Sequence, residues 1–105
     1  MKSIEFGKYI RTIRESKSIP QRIVAHAINV DTSTLSKMEL GERQVTLTMI
    51  PGLAKVLDVD FKELQIKYIS QKILYDFEGQ QFLKDALNKS IEVLSKQHGK
   101  EKQRQ

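Results

Sequence analysis

Apolar residues recur along this chain at intervals of three and four, the period of a helix, and nowhere alternate for long enough to form a useful strand. Phe6, Ile10 and Ile13 share one side of a first helix running from about Glu5 to Ser16 and closed by Lys17-Ser18. A second helix follows Ile19. Pro20 stands at or just before its start, where proline has no hydrogen bond to lose and its fixed φ suits the first turn. Val24, Ala25 and Ile28 form its inner face, and Asn29 falls where the chain must turn sharply, a place that asparagine tolerates in left-handed backbone. Asp31 is positioned to cap a third helix by accepting from the amide of Ser33 or Thr34, and Gly41 suits the left-handed residue that closes this helix after Leu40. Ile50, Leu53, Ala54 and Leu57 mark a fourth helix. Pro51 inside it would cost about 3 kcal/mol, unless Thr48 is the cap and Pro51 falls among the first amides, which lack partners in any case. A fifth helix spans Phe61 to about Phe77, Glu78-Gly79 breaks it, and a last one covers about Gln80 to Lys96.

This pattern predicts an all-α protein. Residues 1–60 form a compact helical unit, 61–96 a helical hairpin, and 97–105 a basic flexible tail. The fifth helix is apolar on two sides. Phe61, Leu64, Tyr68 and Tyr75 lie on one, and Ile66, Ile69, Ile73 and Phe77 nearly opposite. Such a helix needs two covers. One is the N-terminal unit; the other is the last helix or a second subunit. Ile66, Ile69, Ile73, Phe77, Leu83 and Leu87 are the candidate dimerisation residues, and a larger monomeric bundle is the alternative.

Composition narrows the class. With 105 residues the chain has room for one domain and an appended element. Its net charge of +5 favours polyanionic partners. In the tail, Lys96, Lys100, Lys102 and Arg104 stand against Glu101, a composition that serves solubility first and phosphates second. No run approaches the ~18 apolar residues of a membrane span, and no apolar stretch leads to a small-residue cleavage site. Cysteine is absent, which removes disulfides and thiolate metal sites. A cytoplasmic location is the expectation.

The third helix carries the chemistry. On a wheel of 3.6 residues per turn, Leu35, Met38 and Glu39 share the inner arc with Thr32 at its edge, while Ser33, Ser36, Lys37 and Leu40 face outward. Serine and threonine are mediocre helix formers, so a helix that contains Thr32, Ser33, Thr34 and Ser36 needs a reason beyond solvation. Two short helices joined by a tight turn, the second presenting hydroxyls and one ammonium, is the plan of a helix-turn-helix DNA reader. In a major groove Thr32, Ser33, Thr34, Ser36 and Lys37 are the candidate base contacts. Hydroxyls donate or accept there, a threonine methyl can meet a thymine methyl, and lysine reaches a guanine edge or a phosphate. Hydroxyls discriminate weakly, so part of any specificity would come from DNA shape.

Glu39 on the inner arc requires a partner, because a lone buried carboxylate costs several kcal/mol. Arg14, beside the apolar stripe of the first helix, is the candidate for a bidentate structural ion pair. Gln21 at the start of the second helix, and Arg43 and Gln44 after the third, are the candidate phosphate contacts. Arg11, Lys17 and Arg22 read as surface charges. An enzyme is not expected. His26 and His98 are the only histidines, neither has a metal-spaced companion, and the glycines are too scattered for a phosphate loop.

These residues together resemble the phage-repressor and Cro-like helix-turn-helix family, also called the XRE family. The resemblance spans about Phe6 to Leu64 and rests on Phe6-Gly7-Lys8-Tyr9-Ile10-Arg11, Gln21, Val24-Ala25, Val30, Leu35-Ser36-Lys37-Met38-Glu39, Gly41-Glu42-Arg43 and Leu53-Ala54-Lys55-Val56-Leu57. It implies a five-helix lambda-repressor-like bundle, here extended by the C-terminal hairpin. It also implies a transcriptional regulator that binds operator double-stranded DNA as a homodimer. By the same resemblance Thr32, Ser33 and Lys37 contact bases, Gln21 and Arg43 hold phosphates, and Arg14 and Glu39 form the structural pair. Pro20 before Gln21, Asn29 in place of a turn glycine, Pro51-Gly52 and Leu40 depart from the family pattern. Gly41-Glu42-Arg43-Gln44 after the third helix is similar to regulators that accompany restriction–modification genes. The competing expectation is a protein-interaction module, an antitoxin or transcription adaptor. Its docking face would carry exposed aromatics or a larger apolar patch; on the third helix only Leu40 qualifies. No cofactor or small-molecule ligand is expected.

Overall fold

The computed structural model describes residues 2–104, with side chains described from Phe6 to Gln97. It contains six α-helices: α1 (Lys2–Ser16), α2 (Gln21–Ala27), α3 (Thr32–Glu39), α4 (Ile50–Leu57), α5 (Phe61–Phe77) and α6 (Leu83–Arg104). A single 3-10 turn, Leu47–Met49, precedes α4. There is no strand among the described residues. The first five helices enclose one core. Phe6 and Ile10 of α1 meet Val24 and Ala25 of α2, Leu35 and Met38 of α3, Leu53 and Leu57 of α4, and Leu64 and Tyr68 of α5, all buried. The apolar stripes predict this side of every bundle helix.

The first four helices end alike. Each chain turn passes through a left-handed residue, at Ser18, Asn29, Gly41 and Asp58, with φ of 55°, 58°, 78° and 55°. In each, the amide of the next residue donates back to a carbonyl five positions earlier: Ile19 to Arg14, Val30 to Ala25, Glu42 to Lys37 and Val59 to Ala54, at 2.9–3.0 Å. Only one of the four left-handed residues is glycine. The other three are followed by Ile19, Val30 and Val59, which pack against the core. That apolar contact offsets the steric cost of left-handed backbone at a residue with a Cβ.

Two glycines let helices touch backbone to backbone. Gly7 of α1 is buried under α3, where a Cβ would overlap the Met38 carbonyl. At Gly52 of α4 a Cβ would lie 2.9 Å from the Ala27 carbonyl at the end of α2. Pro51 sits in the first turn of α4, which starts at Ile50 and so loses no helical hydrogen bond to it. The late start is as the sequence predicts, but Thr48 is not the cap. It lies inside the 3-10 turn, 3.1 Å from the Thr46 hydroxyl.

Beyond Tyr68 the packing changes. Leu64 and Tyr68 cover the core, and the Phe6 and Tyr68 rings meet edge to face at 5.2 Å. The opposite side of α5 stays open, with Ile66, Ile69 and Phe77 exposed. Phe61 and Tyr75, expected to share a covered side with Leu64 and Tyr68, are 45% and 42% exposed. α6 turns away after Gly79 (φ 94°) and leaves Ile91, Val93 and Leu94 in solvent. α6 continues past Lys96 to Arg104. The side chains expected to form the basic tail, from His98 onward, lie outside the described residues.

Candidate nucleic-acid interface

The third helix begins at Asp31, whose carboxylate accepts from the Thr34 amide at 2.7 Å. Hydrogen bonding from Thr34, from its side chain first and then from its amide, holds the Asp31 carboxyl below its ordinary pKa, and the positive charges of Arg43 and Lys37 push the same way. Both cations therefore act on the end of the helix that would meet DNA. Thr32, Ser33 and Lys37 are exposed, and Thr34 is half-buried. Leu35, Met38 and Glu39 are buried beneath them.

The back of α3 is locked by a polar cluster. Arg14 Nε donates to Glu39 Oε2 at 2.7 Å and Arg14 Nη2 to Glu39 Oε1 at 3.1 Å. This is a bidentate pair with both side chains almost withdrawn from water, 11% and 3% exposed. The hydrogen bond to Glu39 raises the Arg14 pKa against the opposing effect of burial, so the guanidinium keeps its proton. Arg14 Nη1 also donates to the Ile19 carbonyl at 3.0 Å, tying the α1–α2 turn to the same point. Gln21 Nε2 donates to Glu39 Oε1 at 3.0 Å, and the Ser36 hydroxyl donates to Gln21 Oε1 at 3.3 Å. Three helices thus converge on one carboxylate, which fixes how far and at what angle α3 stands out from the bundle.

Gln21 and Ser36 differ here from their sequence reading. Ser36, expected among outward base readers, is half-buried and turned to Gln21. Gln21, expected at a phosphate, spends its carbonyl and one amide hydrogen inside the cluster; an amide carries a second donor. Arg43 and Gln44 are exposed on the loop after α3. His26 is exposed on α2.

Three residues that position this surface had no local signal in the sequence. Gly7 sets the α1–α3 approach. Lys17, read as a surface charge, donates to the Leu57 and Asp58 carbonyls at 2.6 and 2.9 Å and caps the end of α4, 40 and 41 positions away. Tyr68 of α5 donates to the Val45 carbonyl at 2.8 Å and anchors the loop after α3. The first would show only as a glycine on an inner helix face; the other two pair residues too far apart for any pattern to reveal.

A short helix, a left-handed turn and a second helix with exposed hydroxyls, braced from behind, define a helix-turn-helix protein. Residues 10–64 match the helix-turn-helix family. The match spans more than half of the chain, and the chain belongs to that family of DNA-binding transcription regulators, of the XRE type. Among solved structures it is similar to the restriction-modification controller protein C.AhdI from Aeromonas hydrophila, with 34% identity and a TM-score of 0.53, over 59% of this chain and 90% of that one. It also shares its fold with the clp gene regulator ClgR from C. glutamicum, with 21% identity and a TM-score of 0.56, over 67% of this chain and 91% of that one. No curated protein matches it. No described helix is long and apolar enough to cross a membrane.

Proposed function

We propose that this chain binds operator DNA as a two-fold dimer in the cytoplasm and regulates transcription from it. The observation that carries this reading is the division of α3 into two faces. Thr32, Ser33 and Lys37 stand open, while Glu39, Arg14 and Gln21 hold the helix from behind. In the major groove Thr32, Ser33 and Lys37 meet base edges, with Thr34 and Ser36 at the margins of that contact. Arg43, Gln44 and the second amide hydrogen of Gln21 hold phosphates on either side. Ile66, Ile69, Ile73 and Phe77 of α5 and Leu83 and Leu87 of α6 pair two copies, setting the reading helices about 34 Å apart, one turn of DNA. The likeness to C.AhdI supports a controller role beside restriction–modification genes.

Duplexes selected from random DNA test this. Affinity should fall roughly 10³-fold or more between 50 and 200 mM salt. Ser33→Ala and Lys37→Ala should change which sequences are selected. Selection that returns no preferred duplex, or a preference untouched by both substitutions, defeats the proposal.

A further inference from the structure

The loop that follows α3 is gripped from behind by α5. Tyr68 and Lys72 lie one turn apart on that helix, so they share a face. Tyr68 donates to the Val45 carbonyl at 2.8 Å, and Lys72 Nζ donates to Gln44 Oε1 at 3.2 Å. Two successive loop residues are thus held by two successive turns. Val45 is buried by its contact, while Gln44 keeps its outer side in water. Asp76, one turn further on, pairs with the same ammonium at 3.3 Å. Asp76, Lys72 and Gln44 form a chain from α5 to the loop.

The chemistry of that chain fixes which way Gln44 presents itself. Lysine has three donors and no acceptor, so it can only engage the carbonyl of the amide. With its oxygen turned back to α5, the Gln44 NH₂ group is directed outward with both hydrogens available. An outward NH₂ suits an anionic oxygen; the flipped amide would present a carbonyl and repel it. We propose that Lys72, on the C-terminal helix, is a positioning residue for the DNA backbone contact of Gln44. It orients that amide toward a phosphate and joins the hairpin to the reading unit. The inference rests on the DNA-binding reading of the loop.

Binding of a mixed-sequence duplex of about 30 base pairs, long enough for two sites one turn apart, tests it by fluorescence anisotropy at fixed salt. Lys72→Met should weaken binding roughly 3- to 10-fold, the size of one hydrogen bond lost. Lys62→Met removes the same charge from an exposed position on α5 and should change affinity less than about twofold. In a Gln44→Met background, Lys72→Met should have no further effect, because a residue that acts through Gln44 has nothing left to orient. Lys72→Arg, which keeps a donor-only cation, should restore most of the affinity. Equal losses from Lys72→Met and Lys62→Met, or an undiminished Lys72→Met loss without Gln44, would overturn the positioning role and leave DNA binding intact. A folded wild-type protein that binds no duplex at all would overturn both readings.

Discussion

The two halves of this molecule carry similar apolar stripes and treat them in opposite ways. From Phe6 to Leu64 the stripes close on one another, and Val24, Ile50, Leu53 and Leu57 are fully enclosed. From Ile69 onward they stay open: Ile69, Leu74, Phe77, Phe82, Ile91 and Leu94 are 41–65% exposed. Exposed apolar side chains in such number are the basis of the proposed subunit contact. The contrast separates two jobs. The first half is a frame in which the C-terminal ends of α1 to α4 are each closed by a hydrogen-bonded left-handed turn, and its burial holds α3 in place. The second half leaves its apolar side chains open, as the proposed pairing of two copies requires, and α5 belongs to both because Leu64 and Tyr68 face the frame while Ile66 and Ile69 do not.

Substitutions should therefore cost folding in one half and assembly in the other. The largest effect is expected at Gly7→Ala. The added methyl meets a backbone carbonyl that cannot rotate away, so α1 and α3 must separate. Stability should fall by about 3 kcal/mol or more, measured by urea unfolding, and the helix would be misaimed for DNA. Unchanged unfolding would mean that the two helices are less tightly seated than their geometry requires. Next comes Glu39→Ala, which strands the Arg14 guanidinium and leaves the Gln21 amide without its acceptor. A loss of about 2–4 kcal/mol is expected; a thermal midpoint equal to wild type would show that the cluster aims nothing.

In the other half, Phe77→Glu should barely alter the stability of a single chain, within about 0.5 kcal/mol, because the ring is 51% exposed. It should shift the mass found by light scattering from twice 12.1 kDa to 12.1 kDa. A variant that stays dimeric would move the subunit contact away from α5. The smallest effect is at the cap of α3. The Asp31 carboxyl is held below its ordinary pKa when folded. Its stabilisation is therefore complete above the unfolded value near 3.9 and disappears as the pH falls through the folded value. The difference in thermal midpoint between wild type and Asp31→Ala should accordingly be present at pH 7 and close in strong acid. A difference that persists at the lowest pH would rule out the carboxylate as its source.

Much of the frame was legible because its signals are local. The caps at Asp31, the left-handed turns at Asn29 and Gly41, and the late start before Pro51 each follow from residues within one helical turn of the feature. The Arg14–Glu39 pair could be anticipated across 25 positions, because a carboxylate on an inner arc demands a cation and few face it. Ser36 misled because a helical wheel gives direction but not neighbours, and the start of α2 happens to lie over it. Ser18 and Asp58 gave no warning of left-handed backbone, since neither residue type compels it; Ile19 and Val59 seeking the core do.

Helix positions, buried sides and the exposed face of α3 were set by the linear order of residues, because helix periodicity, capping and left-handed preference act over fewer than about five residues. The contacts that aim the surface were decided only in three dimensions: Gly7 beneath Met38, Lys17 on the end of α4, Tyr68 and Lys72 on the loop after α3. Each joins groups brought together by hydrophobic collapse, and a contact between distant positions has no period along a chain.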